Sequence, residues 1–240
     1  AVPDGDGGYS FTGTKIFTSL APVWTRLGLH GLDTTSPDAP QLVFAFIERT
    51  DAVTTSDDWD TLGMRGTQSR TTRLNGAVAD AAHVVRRIDP GPSPDPIVFG
   101  IFSVFEILLA SVYTGIARRA LELAVTTAQK RHSKKTGLAY SQDPDIRWRI
   151  ADMAIAYDAL PPQIAALARD VDDRVDHGAR WFPQLSGVKH RAITMAKHVV
   201  DEAMLVAGGG SYFSANELSR LYRDVLAGAF HPSDPESAHA

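Results

Sequence analysis

Carboxylates and imidazoles are side chains that could move a proton in a reaction, Glu106 and His231 among them. A glutamate in an apolar pocket has a raised pKa and can act as a general base near neutral pH. The alternative for Glu106 is a solvated or ion-paired carboxylate on a helix. His231 precedes Pro232, so its alternative is a surface histidine in a turn. The remaining histidines show no metal-ligand spacing, and the absence of cysteine excludes thiol nucleophiles, Cys-ligated zinc and disulfides.

The elements that must position these residues fall into two halves with different periodicity. From Gly8 to about Val85, short apolar or β-branched runs alternate with Gly, Pro, Asp and Ser, which is typical of β-strands. The Pro-rich segment from Asp89 to Pro96 can continue neither a helix nor a central strand. We therefore predict an α+β fold. An antiparallel β-barrel or sandwich-like domain at 1–88 is followed by a linker at 89–96, an up-and-down four-helix bundle at 97–232 and a tail at 233–240.

Apolar residues recur at three- and four-residue spacing after the linker, which predicts an amphipathic helix that runs to about Arg131. The members of this stripe are Phe102, Phe105, Leu109, Val112, Ile116, Ala120 and Leu123. A second helix should begin with Asp143 as its N-cap and Pro144 in its first turn. Pro161 and Pro162 should kink this second helix.

The last two helices are predicted from their ends. The third should run from about Ser186 to Ala207, because three glycines beginning at Gly208 stop it. Ser214 and Glu217 have the spacing of a capping box, which predicts the start of the fourth helix. Four long helices are typical of an up-and-down bundle, a fold that does not by itself indicate a function.

Composition and charge exclude several classes of protein. The chain has 240 residues, of which 44% are hydrophobic, so it can bury a sizeable core. Its formal net charge of -4 gives no electrostatic reason to expect a nucleic-acid or membrane partner. We find no signal-peptide pattern and no run near the roughly 20 apolar residues that a membrane span needs, and we expect a cytoplasmic enzyme. The chain begins with Ala1 and enters a strand almost at once, so we expect the natural N-terminus to lie upstream.

Four segments resemble, in order, segments of the acyl-CoA dehydrogenase superfamily. Gly8 to Ser19 resembles the family's first strand pair. Trp59 to Ser69 reads Trp-Asp-Thr-Leu-Gly-Met-Arg-Gly-Thr-Gln-Ser, close to the family's W-x-x-x-G-M-R-g-T-x-S. Gly115 to Leu121, with Arg131 beyond it, resembles the helix that carries the family's Arg-x-x-Phe-Gly segment, but the Phe-Gly pair is missing here. Lys197 to Asp224 resembles the final helices. The resemblance implies the family's middle β-domain and C-terminal bundle, with the N-terminal helical domain missing.

The resemblance implies FAD as the cofactor. Phe17, Thr18 and Ser19 would then lie against the flavin ring, with the aromatic face packed on it and a hydroxyl near its reactive edge. Without the resemblance, the same run of residues is an ordinary strand.

Arg131 would, by the same resemblance, reach across a subunit boundary to the FAD pyrophosphate, since a guanidinium offers paired donors to phosphate oxygens. Its alternative is a cation at a helix C-terminus, favoured by the helix dipole. Gly208 and Gly209 would let the backbone approach the adenine-ribose end of a neighbour's cofactor, because they have no Cβ. Their alternative is a helix C-cap, and both can hold.

The resemblance also implies an acyl-CoA dehydrogenase of fatty acid metabolism. Such an enzyme removes the α-proton of an acyl-CoA thioester with a carboxylate while the β-hydrogen leaves as hydride to the flavin, and an electron-transferring flavoprotein accepts the electrons. The family places its Glu either in the last loop, where this chain has His231 and no carboxylate, or on the first bundle helix at the position of Phe105. Glu106 is one residue further on, which turns a helical side chain by roughly 100°.

Two other functions stay open. A reduced-flavin-dependent monooxygenase of the same fold would need a flavin reductase as partner, and related monooxygenases carry a His in the loop of His231, where it can pass a proton. A catalytically incomplete subunit is the remaining alternative. A cofactor shared between subunits and long amphipathic helices imply a homodimer or homotetramer.

Overall fold

The structure, a computed structural model, describes residues 1–233 of the chain. The chain divides into two compact units, one from Ala1 to Gly100 and the other from Ile101 onward. Antiparallel strands occupy the first unit and helices the second, which confirms the predicted α+β fold class. Of the predicted tail, 233–240, only Ser233 lies among the described residues.

Seven strands of the described residues form two antiparallel sheets. The strands are β1 (Val2–Pro3), β2 (Tyr9–Thr18), β3 (Arg26–Asp33), β4 (Gln41–Glu48), β5 (Val53–Thr55), β6 (Arg70–Ala79) and β7 (Val84–Ile88). One sheet has the order β1, β2, β6, β5 and the other has the order β3, β4, β7. The pairings join strands that are distant in sequence, such as β2 with β6, so the register depends on which residues face the core.

The two sheets share one apolar core, which makes this unit a sandwich. Alternate residues of the strands point inward, as in β4, where Val43, Ala45 and Ile47 are buried. The other sheet contributes alternating residues of β6, among them Leu74 and Ala77. Side chains from both inner faces thus exclude water from the same volume.

An irregular end of β2 sets the backbone of one predicted site. The pairing of β2 with β6 shifts register between Lys15 and Thr18, as at a β-bulge. Within the shift, Phe17 has a φ of 56°, in the left-handed region that aromatic residues rarely adopt. The bulge leaves Ile16 and Phe17 exposed while Thr18 stays buried.

Five α-helices are present in the described residues, one more than predicted. They are α1 (Pro96–Lys130), α2 (Pro144–Asp158), α3 (Leu160–Asp172), α4 (Trp181–Ala207) and α5 (Glu217–Val225). The extra helix arises because the predicted kink is a break. Helix α2 ends before Ala159 and α3 begins at Leu160, with Pro161 in its first turn, where a missing backbone N–H costs least.

Of two predicted helix starts, one is confirmed and the other is wrong. Asp143 caps α2 as expected, and its carboxylate accepts hydrogen bonds from the backbone N–H groups of Asp145 and Ile146. The capping box predicted at Ser214 was wrong. Asn216 is the N-cap of α5, and its side chain accepts from the backbone N–H of Leu218.

The inner face of α1 differs by about one residue from the predicted apolar stripe. The buried residues of α1 are Ser103, Glu106, Ala110, Tyr113, Thr114, Ala117, Ala120, Ala124 and Ala128. Only Ala120 belongs to the predicted stripe, and Val112 is exposed. Five of these nine residues are alanines, whose small side chains permit a close approach of neighbouring elements. The larger apolar residues lie beside this face.

Helix α1 is also the one helix in residues 1–233 that is long and apolar enough to cross a membrane, judged by length and composition alone. This finding differs from the prediction that no segment is long and apolar enough to span a membrane. The core helix of a water-soluble bundle meets the same criterion, and α1 carries a buried carboxylate at Glu106.

Candidate functional site

Four polar side chains from three parts of the helical unit meet in its interior. Glu106 and Tyr113 lie two turns apart on α1 and therefore on the same face. Lys189 lies on α4, and His231 follows the short helical turn Leu226–Phe230 after α5. Glu106, Tyr113 and Lys189 have no exposed surface. We call these four residues the buried cluster.

Glu106 and Lys189 form an ion pair without solvent. The Lys189 Nζ lies 3.9 Å from the Glu106 Oε2. Neither carboxylate oxygen of Glu106 accepts a hydrogen bond of good geometry within residues 1–233. Burial raises the pKa of the Glu106 carboxyl, and the Ser233 side chain and the Lys189 ammonium oppose this shift. The Glu106 carboxylate is thus paired with the Lys189 ammonium inside the bundle.

Lys189 also holds the last turn of the bundle. Its Nζ donates a hydrogen bond to the backbone carbonyl of Pro232, the residue after His231. The ammonium lies 6.0 Å from the centre of the Phe105 ring, which faces it as an apolar wall. One buried cation therefore joins α1, α4 and the turn that carries the histidine.

Tyr113 and His231 form the other half of the buried cluster. The Tyr113 hydroxyl and the His231 Nε2 are 2.8 Å apart, and the rings meet edge to face with centres 5.8 Å apart. Burial, and to a smaller extent the charge of Lys189, lowers the pKa of His231. Burial and the charge of Asp224 raise the pKa of Tyr113. His231 is therefore biased toward the neutral imidazole, beside a tyrosine that keeps its proton.

Close packing fixes the turn that presents His231. Gly228 is buried, and a Cβ built there would lie 2.7 Å from Ile193 Cγ2 and 3.0 Å from Tyr113 Cε1. Real Cβ atoms do not approach other atoms as closely as the first of these distances, so any larger residue at this position would force the turn or the Ile193 side chain to shift.

The other end of α1 brings together Arg131, Gly208 and Gly209. The Arg131 guanidinium donates to the carbonyl of Ala207, the last residue of α4, and stacks on Tyr140 with 4.8 Å between Cζ and the ring centre. Gly208 caps α4 with a φ of 69°, and a Cβ there would lie 2.8 Å from Arg131 Nη1. Arg131 is thus a cation at a helix C-terminus and Gly208 is a helix C-cap, as the structural alternatives for these two residues predict. A Cβ at Gly209 would meet nothing within 4 Å, so this glycine faces open space.

Phe17, Thr18 and Ser19 lie in the first unit, at the bulged end of β2. The Phe17 ring is 66% exposed and meets Trp59 edge to face at 6.1 Å. Ser19 is exposed, and its Oγ lies 2.8 Å from the Oγ of Ser69. Thr18, in contrast, is buried.

Strained backbone surrounds this group. Phe17, Leu20, Met64 and Gln68 all have positive φ values, which cost non-glycine residues free energy. The two loops that contain them are joined by backbone hydrogen bonds, including one of 2.7 Å from Leu20 N–H to the carbonyl of Thr67. Strain of this kind persists only where surrounding structure holds it, and it is concentrated at functional sites.

The predicted site residues therefore form three groups. Glu106 and His231 lie in the buried cluster, Arg131 lies with the glycines, and Phe17 to Ser19 lie in the other unit. Along α1, Glu106 and Arg131 are separated by roughly 35 Å.

Sequence reasoning missed Lys189 and Tyr113. A signal for Lys189 was present, because it falls on the helical spacing of the buried apolar residues Leu185, Ala192 and Ala196 of α4.

Comparison with known proteins places this geometry in a family. Residues 107–233 match the family model described as "Acyl-CoA dehydrogenase, C-terminal domain". The chain is 28% identical over 237 residues to the amino sugar nitrososynthase DnmZ of Streptomyces peucetius, with 95% of this chain and 56% of the relative covered. It is 29% identical over 259 residues to the dibenzothiophene monooxygenase of Mycolicibacterium goodii, with 99% of this chain and 60% of the relative covered.

One solved structure is similar to this chain over nearly its whole length. KijD3, in complex with FMN and dTDP-3-amino-2,3,6-trideoxy-4-keto-3-methyl-D-glucose, superposes with a TM-score of 0.80 at 26% identity, over 99% of this chain and 59% of that one. The chain thus spans little more than half the length of the relatives that it matches. Fatty acid metabolism finds no support in these matches, which are named for amino sugars and dibenzothiophene. With more than half of its residues matched by the family model, the chain belongs to the acyl-CoA dehydrogenase family.

Proposed function

We propose that this chain is the flavin- and proton-handling part of a reduced-flavin-dependent monooxygenase, and that it is not an acyl-CoA dehydrogenase. The observation that carries the proposal is the buried cluster. The Glu106 carboxylate is buried against Lys189. The group in the last loop is the imidazole of His231, whose lowered pKa favours its neutral form. The similarity to a nitrososynthase and a dibenzothiophene monooxygenase supports the same function.

Glu106 is poorly suited to be the base of a dehydrogenase. A general base must come within hydrogen-bond reach of the proton that it removes. Glu106 has no exposed surface, and its nearest charged neighbour is the Lys189 ammonium at 3.9 Å. An α-proton could reach this carboxylate only if the α1–α4 contact opened.

The residues at the surface of the first unit fit a flavin ring. Phe17 offers an exposed aromatic face that strained backbone holds outward, and Ser19 offers a hydroxyl beside it. A planar ring system could pack on such a face and accept or donate a hydrogen bond at its edge. Thr18 would contribute through its backbone, since its side chain is buried.

Arg131, Gly208 and Gly209 fit the phosphate-bearing part of a flavin nucleotide in a neighbouring subunit. The guanidinium is exposed, and the backbone at Gly209 is open to a ligand. The separation between this group and the buried cluster agrees with a cofactor that is shared in a homodimer or homotetramer. FAD needs both ends of the site, whereas FMN, as in KijD3, would leave the nucleoside end free.

In this class of enzyme, reduced flavin supplies two electrons to dioxygen, one oxygen atom enters the substrate and the other leaves as water. The chain's own contribution would be a proton at a defined atom. His231 is held at its Nε2 by Tyr113, so its Nδ1 is the atom left to exchange a proton with the reaction. His231 is half-buried, so its imidazole could be reached from outside the cluster while its partners stay buried.

The substrate class that we propose is a compound with an electron-rich nitrogen or sulfur, by analogy with the amino sugar and thiophene named for the relatives. A separate flavin reductase would be the partner, and the cytoplasm the location. In this proposal, residues 1–88 form the flavin-facing domain, 89–96 the linker and 97–232 the bundle.

The test is to supply the purified chain with FMN or FAD, a separate NADH-dependent reductase and isotopically labelled dioxygen, with an amino sugar nucleotide or dibenzothiophene as substrate. We expect one labelled oxygen in the product, lost in His231→Ala and kept in His198→Ala, a matched change of an exposed histidine on α4. Anaerobic bleaching of bound oxidised flavin by an acyl-CoA, with no labelled product, would refute the proposal in favour of the dehydrogenase.

A further inference from the structure

The buried cluster contains an ammonium that no step of the proposed reaction uses. A lysine with no exposed surface is expensive to bury, so its retention needs a reason. Lys189 contacts both halves of the cluster, through Glu106 on one side and through the carbonyl of Pro232 on the other.

The groups that face the His231 imidazole can be named from each packed element. Helix α1 presents Tyr113 and, further in, Glu106. Helix α4 presents Lys189, and Asp224 of α5 acts on Tyr113. Among these groups the ammonium is the one positive charge that acts on His231, and like charges oppose a second proton on the imidazole.

The contact with Tyr113 bears on which nitrogen of His231 carries the remaining proton. Because the pKa of Tyr113 is raised, its hydroxyl stays protonated and can donate to the His231 Nε2 at 2.8 Å. A neutral imidazole that accepts at Nε2 carries its proton on Nδ1.

We propose that Lys189 is a positioning residue that clamps the His231 turn at Pro232 and keeps the imidazole neutral, that Tyr113 holds the imidazole proton on Nδ1, and that Glu106 is the counter-charge of Lys189. The inference rests on the proposed function, in which His231 is the proton-transfer group. Lys189 and Glu106 would set the protonation of His231 without touching the substrate.

The test measures His231 directly in the flavin-free chain. With 15N-labelled histidine, the ring nitrogen shifts report both tautomer and pKa as the pH is changed, and His231→Gln identifies the signal. We expect the Nδ1–H tautomer and a lowered pKa for His231 in the wild-type chain. In Lys189→Met the pKa of His231 should rise, whereas in Lys197→Met, the same change at an exposed position of α4, it should stay unchanged.

The double variant Glu106→Leu/Lys189→Met guards against unfolding of the single one, since it leaves no lone buried charge. It should also show a rise in the pKa of His231, because the ammonium is gone there too. An unchanged pKa in both variants, an Nε2–H tautomer in the wild type, or loss of the fold in both variants would overturn the assignment of Lys189. Because no flavin or turnover is involved, this result is independent of oxygen incorporation: a correct His231 response without labelled product would refute the proposed function alone.

Discussion

Replacing Lys189 by methionine should destabilise the helical unit by about 3–5 kcal/mol, the range for removing one partner of a buried ion pair. Methionine nearly matches the length and apolar volume of the lysine stem, so the loss comes from charge rather than from a cavity. The change leaves the Glu106 carboxyl with no exposed surface and no cation, and the Pro232 carbonyl without its lysine donor. Since each 1.4 kcal/mol is about tenfold in an equilibrium constant, the equilibrium constant for unfolding should rise by roughly a hundredfold or more.

The assay is urea unfolding followed by the far-ultraviolet circular dichroism of the helices, which lie almost wholly in the second unit. Glu106→Leu/Lys189→Met should recover most of the stability, because a hydrophobic pair replaces a buried ionic one at little cost. A loss below about 1 kcal/mol in the single variant would mean that the two groups behave as a solvated surface pair, and the reasoning would fail.

The loss should also depend on pH in a defined direction. Burial raises the pKa of Glu106 in the folded chain, and in Lys189→Met the opposing cation is gone. As the pH rises, the unfolded chain therefore releases this proton first, which favours unfolding until the folded carboxyl also ionises. The variant should be closest to the wild type in acid and should weaken as the pH rises through the folded pKa.

Three further changes test other parts of the structure. Gly228→Ala should cost about 1–3 kcal/mol in the same urea assay, because its Cβ overlaps α1 and α4, whereas Gly210→Ala, where a Cβ meets nothing within 4 Å, should cost little. Phe17→Gly should relieve a left-handed residue and leave thermal unfolding nearly unchanged, yet weaken flavin binding by about tenfold in a fluorescence titration; unchanged binding would remove Phe17 from the site. Arg119 donates paired hydrogen bonds to Glu217 and lowers the pKa of that carboxyl, so Arg119→Ala should remove stability that the wild type has above the ordinary pKa of Glu and loses in acid. Identical acid limbs in the two pH–stability curves would contradict this.

Helix ends were predictable from the sequence where a capping residue or a glycine acts on the backbone of the same turn. Asp143 before Pro144 marked the start of α2, and the glycines after Ala207 marked the end of α4, since each depends only on backbone groups within one turn. Ser214 failed because Asn216, two residues later, caps the helix instead. Several polar residues near a helix start can satisfy the same N–H groups, and only the path of the chain decides between them.

The candidate site was less predictable because its central contacts join distant parts of the chain. Counting large apolar residues put the inner face of α1 near Phe105, whereas the buried face consists mainly of alanines and includes Glu106. Hydrophobicity measures what leaves water, and it does not measure how closely two helices can approach. Lys189 meets Glu106 across the bundle, which no spacing along one helix could reveal.

The hydrogen bond between Lys189 and Pro232 can form only late in the synthesis of the chain. The ribosome presents Lys189 43 residues before the carbonyl that it binds. Closing α1 against α4 in that interval would bury an ammonium that lacks this acceptor, at a cost in free energy. The nascent helices can therefore gain this hydrogen bond only after Pro232 has emerged. A product truncated after α5 but before Pro232 would lack this hydrogen bond, and we expect it to unfold more readily and to meet proteases more often than the longer chain.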